Sequence, residues 1–195
     1  MGQSLGSING MVNVAVTPAF TSAVLNAGGG TFTDIAADSP AFQAQLNQLV
    51  TSLGVTPGSA AFLQLLQVFK WVIDPADPIN FASTLAARGI PILGQAARCD
   101  NVVPNKENQL FYGLLGKAPT NPVGPQANST MQWYMLDTTT ACPTDGTTGQ
   151  GATHGFLLDF ALPAPTNPTL TLKAQANARD FLLTGASTVT TPVLP

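Results

Sequence analysis

The chain has 195 residues, the size of one ordinary domain, and 45% of them are apolar, which is enough to bury a core. Charged residues make up only 9%, where about 25% is usual. Seven Lys and Arg residues and a net charge of −3 exclude the basic surface that nucleic-acid binding requires, and no apolar run reaches the roughly 18 residues of a membrane span.

The first predicted elements are a helix and a strand. Apolar residues at roughly helical spacing predict a helix over residues 7–16, which Pro18 ends. Residues 22–26 form a short apolar run that is followed by a glycine triplet. This pattern predicts a buried strand.

Residues 39–73 predict an unusually apolar helical hairpin. Ser39 is the expected N-cap of its first helix, and Pro40 lies in the first turn. Apolar residues then recur at three- and four-residue steps through both helices, and a short helix over 79–88 follows. Two interpretations stay open: ordinary core packing, or a lid or acyl-binding cap inserted over residues 39–88.

The remaining elements alternate between strands and helices. This alternation predicts an α/β fold, a parallel sheet flanked by helices, in a single domain over residues 1–195. The expected elements are a strand over 90–97, a helix over 106–115, a loop over 118–129, a strand over 130–137, a loop over 138–153, a helix over 170–183 and a flexible tail over 184–195.

A G-x-S-x-G motif stands at the start of the chain, as Gly2-Gln3-Ser4-Leu5-Gly6. In such a motif the serine occupies a strained turn at the beginning of a helix, and the glycines let the backbone approach closely. The turn exposes the Ser4 hydroxyl and directs the Leu5 N–H toward a developing oxyanion. The alternative is a serine in a flexible N-terminal arm.

Asp100 and His154 complete a candidate set of reacting groups. Each lies beyond a predicted strand, and the order Ser, Asp, His is the one used by the α/β-hydrolase fold. His154 would take the Ser4 proton during attack, and Asp100 would orient the imidazole and stabilise its cation. A surface-loop role for His154 is the alternative. The other aspartates considered for the acid are Asp137, Asp145 and Asp159.

At these residues the chain resembles the C-terminal part of an α/β-hydrolase, a bacterial secreted-type esterase or lipase beginning at the nucleophile elbow. The similarity runs through GQSLG, AVLNAGGG, DPIN, CDNVVPN and THGFLLD and covers most of residues 2–183. It implies Ser4 as nucleophile, Asp100 as acid, His154 as base and the Leu5 backbone N–H as oxyanion donor.

The chain departs from that family at its beginning. A complete hydrolase has several strands before the elbow and a second oxyanion donor on a preceding loop. We therefore expect a fragment, a natural minimal version, or a homo-oligomer in which another copy supplies the strands.

The cysteines and the histidine limit the other kinds of site. Cys99 and Cys142 form at most one disulfide, and the alternative is two buried thiols. Because His154 is the only histidine, no multi-histidine metal site is possible, and we expect no metal and no cofactor. Asp74 and Asp77 could belong to a cation site or to a turn. The turn is favoured, because a proline follows each aspartate.

The predicted function is hydrolysis of a small-molecule or lipid carboxylic ester through an acyl-enzyme. The alternatives are a poorly active or inactive hydrolase remnant that binds lipid or a partner, and a peptidase or amidase on the same fold. A surface made polar by uncharged residues favours an extracellular or cell-envelope location, although the N-terminus lacks the basic and apolar pattern of a signal peptide.

Overall fold

A computed structural model describes residues 1–97, 100–116, 131–134, 154–158 and 168–184. The predicted loops over 118–129 and 138–153 lie outside the described residues, and so do both cysteines. Of the predicted tail, the structure describes the first residue, Thr184. The predicted disulfide therefore stays a prediction.

The centre of the described fold is a parallel sheet of four strands in the order β1-β2-β3-β4. The predicted strands after the first helix, after the hairpin and near residue 131 are confirmed, and a two-residue strand precedes Ser4. The strands are β1 Gly2–Gln3, β2 Ala23–Asn26, β3 Ile92–Ala97 and β4 Met131–Tyr134. β2 and β3 are buried along their whole length, which explains their continuous apolar runs.

Helices cover both faces of this sheet, so the predicted α/β architecture is confirmed. Leu25 of β2 packs with Met11 and Phe111 on one face, and Val24 packs with Phe181 on the other. The α-helices of the described residues are α1 Leu5–Val16, α2 Phe32–Asp38, α3 Gln43–Ser52, α4 Ala60–Ile73, α5 Ala82–Ala87, α6 Asn105–Leu114 and α7 Pro168–Leu183. Adjacent side chains of β2 point to opposite faces of the sheet, and α7 covers the face on which Val24 lies.

The expected role of Ser39 is wrong. Ser39 ends α2, a helix that the sequence analysis missed, and the residue before α3 is Phe42. The Ser39 hydroxyl instead donates to the carbonyl of Asn101, 3.0 Å away. The start of the hairpin is thereby attached to the segment that carries Asp100.

The two hairpin helices are present, but their apolar side chains are largely uncovered. Val50 of α3 is buried, whereas α4 has no buried residue. Trp71 is 80% exposed and Val72 is 72% exposed. Ordinary core packing therefore does not describe α4. Within the described ranges, no helix combines the length and apolarity needed to cross a membrane.

Asp74 and Asp77 lie in turns, as the sequence predicts. Short 3₁₀ turns over Asp74–Ala76 and Pro78–Phe81 follow α4. The buried Asp77 carboxylate accepts from the N–H of Phe32 at 2.7 Å and from that of Ile79 at 3.1 Å. Its two oxygens thus hold the start of α2 against the end of the hairpin.

Candidate active site

Ser4 occupies a strained turn between β1 and α1. Its backbone angles are φ 53° and ψ −123°, a region that L-residues other than glycine rarely adopt. The Ser4 N–H donates to the Asn26 carbonyl at 2.9 Å, and the Ser4 carbonyl accepts from Ser7 and Ile8 in the first turn of α1. The strand on one side and the helix on the other therefore hold this conformation.

The two glycines that flank this turn play different parts. A methyl group at Gly2 would lie 2.2 Å from the carbonyl oxygen of Gly6, so only glycine fits at that position. At Gly6 such a group would meet nothing within 4 Å. The close approach expected on both sides of the serine depends on the missing side chain of Gly2 alone.

Leu5 is the first residue of α1. Its N–H has no intrahelical acceptor, because the first N–H groups of a helix point out of its end. In the part of the chain that the structure describes, nothing else accepts a hydrogen bond from it. This N–H and the positive end of the helix dipole therefore lie next to Ser4, the residue that precedes the helix.

Asp100 follows β3 and is held by the backbone that leads into α6. Its Oδ1 accepts from the N–H of Val102 at 2.8 Å and from that of Val103 at 3.0 Å. The Asn105 side chain donates to the carbonyl of Ala97 at 2.7 Å, which closes this segment onto the end of β3. The Asp100 side chain is completely buried, so its orientation is fixed.

His154 lies between the other two predicted residues. Its Nδ1 is 2.8 Å from Oδ2 of Asp100, and its Nε2 is 2.7 Å from Oγ of Ser4. A carboxylate only accepts hydrogen bonds, so Nδ1 carries the proton and Nε2 is free to accept from the serine. The imidazole is 17% exposed.

The structure thus brings together Ser4, His154 and Asp100, while their catalytic roles stay predictions. The three competing aspartates, Asp137, Asp145 and Asp159, lie outside the described residues. Within the described ranges, no group of His, Cys, Asp and Glu has the arrangement of a metal site.

Sequence reasoning missed one side chain in this site, Gln3. Its Nε2 donates to the carbonyl oxygen of His154 at 3.3 Å. The second position of a G-x-S-x-G motif accepts any residue, so no sequence signal marked it.

Comparisons with known proteins agree with the fold. No family model matches the chain, and no curated protein matches its sequence. Among solved structures the chain is similar to an acylaminoacyl peptidase of Pyrococcus horikoshii, with a TM-score of 0.56 and 13% sequence identity. The similarity covers 96% of this chain and 23% of the peptidase chain. It supports an α/β-hydrolase fold, and this chain spans about a quarter of the length of that protein.

Proposed function

We propose that the protein hydrolyses carboxylic esters with Ser4 as the nucleophile. The observation that carries the proposal is the continuous line of hydrogen bonds from the Ser4 hydroxyl through His154 to Asp100, with both contacts below 3 Å. A serine hydroxyl is a weak nucleophile at neutral pH, and an adjacent base is the usual way to activate it.

In the proposed reaction Ser4 Oγ attacks the ester carbonyl carbon while His154 Nε2 takes the hydroxyl proton. The tetrahedral oxyanion accepts from the Leu5 N–H, and Asp100 stabilises the imidazolium. Collapse of the intermediate breaks the bond to the alkoxy group, which leaves with the proton from Nε2. Water then attacks the carbonyl carbon of the acyl-enzyme while Nε2 takes one of its protons. Collapse of this second tetrahedral intermediate breaks the bond to Ser4 Oγ, which receives the proton from Nε2 as the carboxylic acid leaves.

The preference for an apolar acyl group rests on the hairpin of α3 and α4. The chain leaves β2 after Asn26, at the same end of the sheet as Ser4, and then forms α2 and the hairpin. Lys70 is the only charged residue between residues 39 and 73, and it pairs with Asp34 at 3.3 Å. A hairpin whose single charged residue is already paired would suit an apolar acyl chain better than a charged substrate, if it serves as the cap.

The test is turnover of p-nitrophenyl butyrate by wild type and three variants. Ser4→Ala should lower kcat about 10⁶-fold and Asp100→Asn about 10⁴-fold, as in other enzymes with this arrangement of groups. Ser22→Ala is the matched control, because Ser22 precedes β2 at the opposite end of the sheet, and it should keep the wild-type rate. Equal rates in wild type and Ser4→Ala would contradict the proposal.

A second candidate is cleavage of an amide bond, which the structural similarity to an acylaminoacyl peptidase favours. An N-acetyl amino-acid p-nitroanilide, assayed beside the ester, separates the two. Turnover of the ester with no measurable turnover of the anilide, the former lost in Ser4→Ala, supports the esterase. A larger kcat/KM for the anilide, lost in the same variant, makes the protein a peptidase or amidase.

The non-catalytic alternative gives a third result. A lipid-binding remnant would bind a fluorescent fatty acid equally well in wild type and Ser4→Ala and would hydrolyse neither substrate. That combination would overturn the enzymatic proposal.

A further inference from the structure

The turn that carries His154 is held by side chains from two other elements. Phe156 and Leu157 are completely buried against Ala97 and Ala174. In α7, Thr171 Oγ1 donates to the Phe156 carbonyl at 2.7 Å and Gln175 Nε2 donates to the Leu157 carbonyl at 2.8 Å. These contacts fix the part of the turn beyond the base.

The carbonyl of His154 itself is held from the other side, by Gln3 Nε2 at 3.3 Å. Gln3 precedes Ser4 in the chain, so this contact joins the residue beside the hydroxyl to the backbone of the base. A closed ring results: from the Gln3 amide to the His154 backbone, through the imidazole to Ser4 Oγ, and back along one peptide bond. Such a ring restricts the distance between Oγ and Nε2.

Gln3 also belongs to a row of amides across the sheet. In the strand register Gln3 pairs with Asn26, and Asn26 pairs with Gln95. Asn26 Nδ2 donates to Gln95 Oε1 at 3.1 Å, and Gln95 Nε2 donates to the Ala174 carbonyl of α7 at 3.1 Å. Gln95 thus joins the row to α7 and Asn26 bonds to Gln95, whereas Gln3 bonds to the turn of His154.

The oxygen of the Gln3 amide is buried without a hydrogen-bond partner. A buried acceptor without a partner destabilises the fold, and an apolar residue of similar size would avoid this cost. The hydrogen bond that the Gln3 amide does make is the one from Nε2 to the backbone carbonyl of His154, so its donor end is what this position uses.

We propose that Gln3 is a positioning residue that sets the location of the His154 imidazole relative to Ser4. This inference rests on the proposed function for its kinetic consequence, but the geometry of the imidazole is measurable without turnover. A displacement of a reacting group by about 1 Å costs about 10²-fold in rate, so loss of the contact should be visible in kcat.

The experiment compares Gln3→Met with Gln95→Met. Methionine is close to glutamine in length and volume but donates no hydrogen bond, and Gln95 is a buried amide of the same row that hydrogen-bonds Asn26 and Ala174. Gln3→Met should lower kcat on p-nitrophenyl butyrate about 10–100-fold with little change in KM. Gln95→Met should lower Tm and keep the kcat of the folded protein. Gln3→Glu should behave as Gln3→Met at neutral pH, because a carboxylate donates nothing to the His154 carbonyl.

A spectroscopic readout separates this proposal from the proposed function. His154 is the only histidine of the chain, so the ¹⁵N signals of a histidine-labelled sample belong to this imidazole alone. Wild type and Gln95→Met should give the same ¹⁵N chemical shifts, with the proton on Nδ1. Gln3→Met should change the chemical shift of Nε2, because a displaced imidazole loses the hydrogen bond from Ser4 Oγ while Asp100 still holds Nδ1.

Unchanged ¹⁵N signals in Gln3→Met would overturn the positioning role, whether or not the protein hydrolyses esters. An equal loss of kcat in Gln95→Met at matched stability would also overturn it. Absence of turnover in all proteins, together with the expected ¹⁵N change, would reject the proposed function and leave the positioning role standing.

Discussion

The sheet and the α3–α4 hairpin both carry large apolar side chains, but these are buried around the sheet and largely exposed in the hairpin. Around the sheet, Leu25 and Phe111 are almost completely buried, and long-range hydrogen bonds hold the segments that carry Ser4 and His154. In the hairpin, Trp71 and Val72 are mostly exposed. The comparison teaches that apolar periodicity predicts a helix without predicting whether its apolar side chains are covered.

The largest expected effect is a difference in the free energy of unfolding between a substitution beside the sheet and one in the hairpin. Phe111 is fully buried and meets the ring of Tyr112 edge-on, with centroids 5.7 Å apart, so Phe111→Ala should cost about 3–5 kcal/mol. Trp71→Ala removes a larger side chain that is mostly in solvent and should change the free energy of unfolding by less than about 0.5 kcal/mol. Urea denaturation measures both. A cost for Trp71→Ala as large as that for Phe111→Ala would mean that α4 is covered in solution.

The next comparison lies within the G-x-S-x-G motif. Gly2→Ala would place a methyl group on the Gly6 carbonyl, and overpacking of this kind typically costs about 1–3 kcal/mol. Gly6→Ala meets open space in α1 and should stabilise the helix by up to about 1 kcal/mol. Thermal unfolding of both variants, with the ester assay, tests this difference. Equal destabilisation by the two substitutions would show that the turn is not held as described.

A smaller effect tests whether the site stores backbone strain. The φ of 53° at Ser4 costs about 1–3 kcal/mol for a residue with a side chain, and glycine avoids this cost at some expense in unfolded-state entropy. Ser4→Gly and Ser4→Ala should both be inactive, and Ser4→Gly should be the more stable by about 1 kcal/mol. Equal midpoints in chemical denaturation would argue against strain at this turn.

The smallest effect concerns Glu107, where α6 meets α2. Burial raises the pKa of this carboxyl; Lys106 opposes the shift, and Asp34 and Asp38 add to it. Thr31 Oγ1 lies 3.4 Å from Oε2 of Glu107, and Lys106 Nζ lies 3.5 Å from Oε1. The folded protein therefore retains this proton at pH values where the unfolded chain has lost it.

The sign of the pH dependence follows from this difference. The stabilising contribution of the protonated carboxyl is present below its ordinary pKa and is lost as the pH rises through the raised value. Glu107→Gln should consequently raise Tm by about 1–3 °C near pH 8, with a smaller difference near pH 5. Differential scanning calorimetry at the two values measures it. A gain that is larger at the lower pH would contradict the burial effect.

The sequence was sufficient for the features that depend on local pattern. Continuous apolar runs predicted β2 and β3, and the order of Ser4, Asp100 and His154 predicted which side chains would meet. Helix α2 and the contact of Gln3 could not be predicted, and each has a physical reason. The seven residues of α2 are too few to show a period, and Gln3 depends on a carbonyl that lies 151 residues away.

The most direct test of the account is covalent labelling with a fluorophosphonate, followed by peptide mapping by mass spectrometry. The probe reacts with a serine only when a neighbouring base activates its hydroxyl. Labelling should give one adduct, on Ser4, and should be at least about 10²-fold slower in His154→Ala. An adduct on another serine, or equal labelling of Ser4 with and without the imidazole, would contradict this prediction.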